Sequence, residues 1–294
     1  MRLRTVTDWI GGGCGQGHLD RYRPLHRLTR RNISRRHNQV TCVLPGYRRS
    51  AHFRRAELGK LALLALWAGA LDVREHYPLW PFRHMHPLYD WPFADLDLGM
   101  CSGTLEVAEA AGNLRLAIGG DLPAPVELDL MVTVGTTDRP ESLLLMCDAR
   151  PHNTSKSEYD FTREETSRRY ALANGMRFTI IDPSVLPVSF VANLDSLSYS
   201  VNAVRRIEDP ARFAVLSDQL ARQLEVDTIT SAVGAIASRF AVDEQMVWLA
   251  FDHLAWTQGI DIDICRPISR IDAVVPGGFE RQRRIQEFLV GALR

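Results

Sequence analysis

Apolar and polar positions alternate with a period of two over residues 126–134, where Val126, Leu128, Leu130, Val132 and Val134 are interleaved with Glu127, Asp129, Met131 and Thr133. That rhythm predicts a strand with one apolar face and Asp129 on the other. A turn at 135–141 leads to a second, mostly apolar strand at 142–150, where Asp148 and Arg150, two apart, share a face at its end. The rhythm differs upstream. Phe53, Glu57, Leu61, Leu64 and Ala68 recur at spacings of three and four, which predicts a helix from about residue 50 to 70 with Ser50 as N-cap. Glu57 then sits on the apolar stripe, where a carboxylate needs a cation or strong donors to meet it. A short helix at 104–111, a helix at 162–174 closed by Gly175, and a strand at 177–181 complete an α/β core.

Beyond residue 185 the pattern is helical, at 211–224, 228–240 and 243–258, with Gly259 as a stop, a short strand expected at 260–265 and a last amphipathic helix at 279–293. Three short helices and a strand suggest a winged-helix module. Residues 1–49 show no period and read as an extended arm. The expected organisation is therefore an arm at 1–49, an α/β domain at 50–184 and a mostly helical, winged-helix-like domain at 185–294.

Composition alters this picture through the distribution of charge. The 294 residues carry 35 Lys+Arg and 35 Asp+Glu. Residues 1–60 alone hold fourteen basic and three acidic side chains, a net +11, so the remainder carries −11. Such asymmetry is the footprint of polyanion binding by one part of a chain. Arg30, Arg31, Arg35, Arg36, Arg48 and Arg49 are the residues expected to track a DNA backbone with little sequence readout. The longest apolar run, 61–71, is too short to span a bilayer, and the Arg-rich start lacks the apolar stretch of a secretory signal, so a cytoplasmic protein is expected. Five cysteines, widely spaced and without a C-x-x-C pair, indicate neither a disulfide framework nor a structural zinc site. The glycine-rich stretch 11–17 is not followed by Gly-Lys-Ser/Thr and so is not a P-loop.

An acid on a helix, an acid within a strand, and an acid-x-cation pair ending the neighbouring strand form the layout of metal-dependent nucleases of the restriction-endonuclease type. There the carboxylates hold divalent cations, and a cationic side chain stabilises charge on the phosphate. Glu57, Asp129, Asp148 and Arg150 fit that layout, with ordinary salt bridges as the competing explanation.

Several segments carry a family resemblance: Gly13-Cys14-Gly15-Gln16-Gly17, Tyr22-Arg23-Pro24, His52 with Glu57, and above all Leu71-Asp72-Val73-Arg74-Glu75-His76-Tyr77-Pro78-Leu79. They resemble the TnsA family, the endonuclease subunit of Tn-seven-like heteromeric transposases, whose pattern around the last segment is close to V-x-D-I-R-E-Q-F/Y-P-L. The run from Glu164-Glu165 to Arg168-Arg169-Tyr170 is similar to the family's L-E-x-x-Y-W helix. The resemblance covers roughly residues 11–265 and is strongest at 48–80.

The resemblance implies a restriction-endonuclease-like core and a winged-helix-type second domain. It implies magnesium-dependent cleavage, with manganese as a possible substitute, of the non-transferred 5′ strands at transposon ends. The implied partners are double-stranded transposon-end DNA, a DDE-type subunit (TnsB-like) that joins the 3′ ends, and an AAA+ regulator (TnsC-like). Glu57 takes the place of the family's helix glutamate and Asp129 that of its strand aspartate. At the third position the family reads Gln/Glu-x-Lys-Pro where this chain reads Asp148-Ala149-Arg150-Pro151. Asp148 offers an additional acid, and Arg150 keeps the charge in a planar, bulkier group that does not deprotonate. Lys156 is a second basic residue within reach in sequence. A non-catalytic DNA-binding scaffold is the alternative implied by that exchange. His76, His84 and His86 read either as metal ligands or as packing residues, and Trp80, Tyr89, Trp91 and Phe93 either as base-stacking groups or as packing for an insertion.

Overall fold

The computed structural model describes residues 3–29, 38–112, 118–119, 122–148 and 155–290. The chain divides into two compact units, Met1–Val43 with Arg48–Pro183, and Leu44–Tyr47 with Ser184–Arg294.

The first unit is mixed α/β. Its helices are α1 (Leu3–Gly11), α2 (Ala56–Trp67), α3 (Thr104–Ala110) and α4 (Glu158–Ala173). Its strands are β1 (Val40–Val43), β2 (Ser50–Phe53), β3 (Asp72–Leu79), β4 (His84–Met85), β5 (Met100–Cys101), β6 (Ile118–Gly119), β7 (Leu122–Pro123), β8 (Val126–Gly135), β9 (Pro140–Cys147) and β10 (Arg177–Ile181). Four of them form the central sheet in the order β10-β9-β8-β3, with β10 parallel to β9 and the other neighbours antiparallel. The turn between β8 and β9 places Leu130 opposite Leu145 and brings Asp129 to the far end of β9. Both faces of β8 are buried from Leu128 to Val134, so the predicted alternation marks two interiors instead of an inside and a surface.

The predicted helix at 50–70 starts later than expected. Residues Ser50–Phe53 are β2, paired with β1 from Val40↔Phe53 to Val43↔Ser50, and α2 begins at Ala56 with Arg55 as N-cap. The spacing of four between Phe53 and Glu57 crosses a strand-to-helix junction. Phe53 is fully buried beside Gly59, where an added Cβ would meet its ring at 3.4 Å. A glycine inside α2 thus makes room for the strand before it.

Strand β3 is buried along its whole length although it carries Asp72, Arg74, Glu75 and His76. Each of these groups has a partner. Arg49 grips Glu75 with two parallel hydrogen bonds, Nη1 to Oε1 at 2.7 Å and Nη2 to Oε2 at 2.8 Å. His18 Nδ1 lies 3.3 Å from Asp72 Oδ2, and the Leu19 amide donates to Asp72 Oδ1 at 3.2 Å. Tyr22 donates its hydroxyl to the Glu75 carbonyl at 2.9 Å, and the Leu25 amide donates to the His76 carbonyl at 3.1 Å. His76 has φ +51°, a left-handed conformation uncommon for a side-chain-bearing residue, and it interrupts the ladder between Glu75↔Leu130 and Tyr77↔Leu128.

The segment expected to be a free arm is therefore packed in its described part. Tyr22 and Leu25 are buried, and residues 18–25 close the outer edge of β3. The reason is the partners β3 requires: a strand with four ionisable groups inside the protein draws donors and charges from a neighbouring segment. Arg30, Arg31, Arg35 and Arg36 lie outside the described residues.

The second unit contains α5 (Val188–Val204), α6 (Pro210–Gln223), α7 (Ile229–Phe240), α8 (Glu244–Thr257) and α9 (Gly278–Val290). Helix α8 buries Val247, Ala250, Phe251, Leu254 and Ala255 and forms its centre. The segment 260–265, expected as a strand, is irregular, and no strand occurs among the described residues of this unit. Ile260, Ile262 and Ile264 are buried at a spacing of two. Asn193 of α5 satisfies that backbone by donating to the carbonyls of Ile264 and Arg266, so the period of two survives without a ladder partner. No helix among the described residues is long and apolar enough to cross a membrane.

Candidate active site

Four elements of the first unit meet where β9 ends. Asp129 on β8 is 6 % exposed, and its Oδ2 accepts a hydrogen bond from the Cys147 amide at 2.9 Å. Asp148 follows Cys147 directly, and its amide donates to the Ile181 carbonyl of β10 at 2.9 Å. From α2, the Arg55 guanidinium reaches the same corner, 3.7 Å from Asp129 Oδ2 and 3.5 Å from the Cys147 carbonyl. Glu57 is two residues further on, half-buried in the first turn of α2. From α4, Arg163 Nη2 lies 2.6 Å from Asp129 Oδ1, and Arg163 Nε donates to the Glu127 carbonyl at 2.9 Å.

Cys147 registers this convergence. Burial pushes its thiol up to about 12; Arg55 opposes the shift, while Asp129, Glu57 and Asp148 add to it. All three carboxylates expected at the site thus act on one sulfur. Arg150, the fourth residue expected here, lies outside the described residues. Lys156 is ion-paired with Glu164 on α4.

The three carboxylates offer anionic oxygens, the donor chemistry of a hard divalent cation such as Mg²⁺. Among the described residues no three His, Cys, Asp or Glu side chains form a ready-made metal set. A carboxylate has about four lone-pair positions, so Asp129 keeps acceptor capacity beside Arg163 and the Cys147 amide. The donor chemistry fits a cation, and the charge such a cation would meet is that of Arg163.

Several members of the corner were not singled out in the sequence: Arg55, Glu127, Arg163, His26 and His76 in this role. Glu127 is held by His76 Nδ1 at 2.5 Å, His26 Nε2 at 3.1 Å and Arg54 Nη1 at 3.4 Å. Burial works against its charge, but the hydrogen bonds from His26 and His76 prevail and hold the carboxyl well below the usual range. The usable signal was the i, i+2 pair Glu127 and Asp129 on one strand face. Two acids side by side in a buried strand require several cations nearby.

Of the residues expected to contact DNA, Arg48 is exposed, but Arg49 is committed to Glu75, with its Nε donating to the Leu19 carbonyl at 2.9 Å as well. Arg49 thus ties the segment before β2 to β3. The histidines expected as possible ligands are also engaged. His84 Nδ1 bonds the Phe82 carbonyl and its Nε2 the Tyr170 hydroxyl, both at 2.8 Å, while His86 Nδ1 accepts from the Leu88 amide at 3.1 Å. Trp91 is buried and donates to the Thr137 carbonyl at 2.8 Å, whereas Tyr89 and Phe93 are exposed. No family model matches the chain, and no curated protein matches it.

Proposed function

We propose that the protein is a metal-dependent DNA endonuclease with a restriction-endonuclease-like core. In this reading it acts as the subunit of a heteromeric transposase that cleaves the 5′, non-transferred strands at transposon ends. The observation that carries the nuclease reading is the corner at the end of β9. There Asp129 bonds the amide beside Asp148, and the first turn of α2, bearing Glu57, reaches the same carboxylate through Arg55. The subunit reading rests on the resemblance at residues 71–79. It brings with it the DDE-type and AAA+ partners and a winged-helix-like role for the helical unit.

Glu57, Asp129 and Asp148 would hold Mg²⁺. When bound, the cation supplies Lewis-acid polarisation of the scissile phosphate and a lowered pKa for an attacking water. The chain's own groups do the rest. Arg55 and Arg163 bring positive charge to the corner, where it opposes the negative charge that develops on phosphate oxygens. The hydrogen bond from the Cys147 amide orients Asp129, and the two histidines on Glu127 keep that neighbouring acid from drawing Arg163 away. With its raised pKa, Cys147 stays a neutral thiol and does not compete as a nucleophile.

The test is nicking of a transposon-end duplex in Mg²⁺ or Mn²⁺ by the full chain, alone and with its transposase partner. Glu57→Ala and Asp129→Ala should each lower nicking by about a hundredfold or more, on the order of losing one group that stabilises transition-state charge. Undiminished nicking by both variants would refute the assignment.

A second reading, a nuclease-fold scaffold without chemistry, is favoured by one observation: Arg163 and Arg55 already neutralise Asp129. Absence of nicking with the partner present, together with retained DNA binding, would select it.

A further inference from the structure

We infer that the cavity between the glycine-rich turn at residues 15–17 and the segment 84–90 receives a single unpaired nucleobase of a DNA end. The inference rests on the DNA reading above and concerns a site the nuclease chemistry does not use. The cavity has a volume of about 260 Å³, at the small end for ligand pockets, and Arg74, Tyr77, Trp80, His86 and Tyr89 are among its walls.

Arg74 supplies the main polar feature. It is 1 % exposed, and its Nη1 donates to the Pro87 carbonyl at 2.7 Å, yet Nε and Nη2 have no hydrogen-bond acceptor. Asp72 Oδ2, 3.5 Å from Nε, balances the charge without accepting a hydrogen bond from Arg74. Those two nitrogens lie on one edge of the planar guanidinium and donate in parallel, so they match a planar partner with two adjacent acceptors. The O6/N7 edge of a guanine is such a partner. Buried donors left without acceptors are costly, so a ligand whose acceptors reached this edge would gain most there.

The charge of the cavity favours a neutral heterocycle over a phosphate. Arg74 is offset by Asp72. Burial, with Arg74 and His84 adding to it, pushes His86 down to about 4, so its ring is uncharged near neutrality. Because His86 Nδ1 accepts from the Leu88 amide, the ring hydrogen is on Nε2 and provides a further donor. Asp90 at the lining adds a negative charge that repels a phosphate dianion. Trp80 and Tyr89 offer faces on which a base can stack.

The backbone carrying the base has its own path. An adjoining depression shares Gln16 and Gly17 with the cavity and is lined by Arg21 and Arg23, both exposed. Gly15, at φ +79°, lets the turn approach this closely, since a Cβ there would stand 2.6 Å from the Pro78 ring.

The test uses the full chain in EDTA, so that no strand is cut, and two duplexes with a terminal 8-vinylguanine, a fluorescent base that keeps the O6/N7 edge, paired in one and unpaired in the other. The unpaired end should bind about tenfold more tightly, on the order of one stacked base, and its fluorescence should be quenched. Trp80→Ala and Tyr89→Ala should bring the two affinities together. Met85→Trp, which plugs the cavity and leaves its aromatic walls in place, should do the same. Tyr89 and Met85 are 47 % and 51 % exposed, so those two variants retain the fold. Equal affinity of the parent protein for the two duplexes overturns the inference, and so does a preference that survives all three variants. Loss of the preference in millimolar inorganic phosphate at constant ionic strength would make the cavity an anion site and overturn it too. Failure to bind either duplex would overturn the DNA reading itself, which separates the two failures.

Discussion

Strand β3 and the corner around Asp129 both bury charge in the same unit, and they do so in opposite ways. On β3 the groups are matched within the protein: Arg49 encloses Glu75, and Asp72 meets His18, the Leu19 amide and Arg74. At the corner two acids, Glu127 and Asp129, collect Arg54, Arg55, Arg163, His26 and His76. The matched network is a structural fastening, because removing one member strands another inside the protein. Glu57 and Asp148 lie at the corner as well, so its acids and cations form one shared group instead of closed pairs, and such a group can be rearranged when an anion or a metal arrives. Buried charge alone does not identify a site; charge shared among several groups instead of closed into pairs does.

Stability measurements offer the largest effect by which to break this comparison. Glu75→Ala leaves the buried Arg49 charge without the carboxylate that balances it, and urea unfolding should show a loss of about 3–5 kcal/mol. A loss under about 1 kcal/mol would mean that β3 is no more a fastening than the corner is.

Next in size is an effect expected only at the corner. Arg163→Gln removes the cation on Asp129 Oδ1, and calorimetric titration with Mg²⁺ should show roughly tenfold tighter binding, since like charges at about 4 Å repel substantially even at a protein surface. Unchanged Mg²⁺ affinity would show that Arg163 does not compete with a metal there.

A third, smaller effect concerns pH. His86 has a folded pKa of about 4 against an ordinary 6.5, so the folded state prefers the neutral ring. Its contribution to stability is complete above pH 6.5 and declines as pH falls toward 4. His86→Gln should flatten the acid side of the stability profile between those values, and an unaltered profile would show that His86 does not contribute to it.

The smallest effect separates the two arginines that adjoin in sequence. Arg48→Ala should reduce the salt dependence of duplex binding by about one unit of slope. Arg49→Ala should appear in unfolding experiments, because its guanidinium is spent on Glu75.

What was legible in the sequence followed from simple periods. The strand at 177–181 coincides with β10, and the helices α6, α7 and α8 fall within a residue or two of their expected limits, because stripes and stop signals such as Gly259 are local. Helix α4 begins four residues before its expected start, with Ser157 as the cap accepting from the Asp160 amide. Its buried face consists of Thr166, Ser167, Tyr170 and Ala171, which form no apolar stripe to read. Strand β3 was unreadable as a strand because Asp, Arg, Glu and His fill an interior position only when partners from residues 18–49 arrive. That is tertiary information. Helix α5 was missed for a related reason: Asn193, Ser198, Ser200 and Asn202 interrupt its apolar pattern. Within the site, Glu57, Asp129 and Asp148 were legible as acids with spacing. Arg163 was not, since its position one turn inside α4 has meaning only once α4 lies against β8.

The closure of β3 by residues 18–25 also sets an order of events during synthesis. Tyr22 precedes Glu75 by 53 residues and His18 precedes Asp72 by 54, so the segment that holds them leaves the ribosome with nothing to close upon until β3 follows. Until then its arginines are unpaired and its aromatic side chains exposed. The first unit therefore cannot complete itself in chain order. Residues 18–25 are among the last of this unit to find their place, and the rate at which that long-range contact forms should limit how soon the unit is complete.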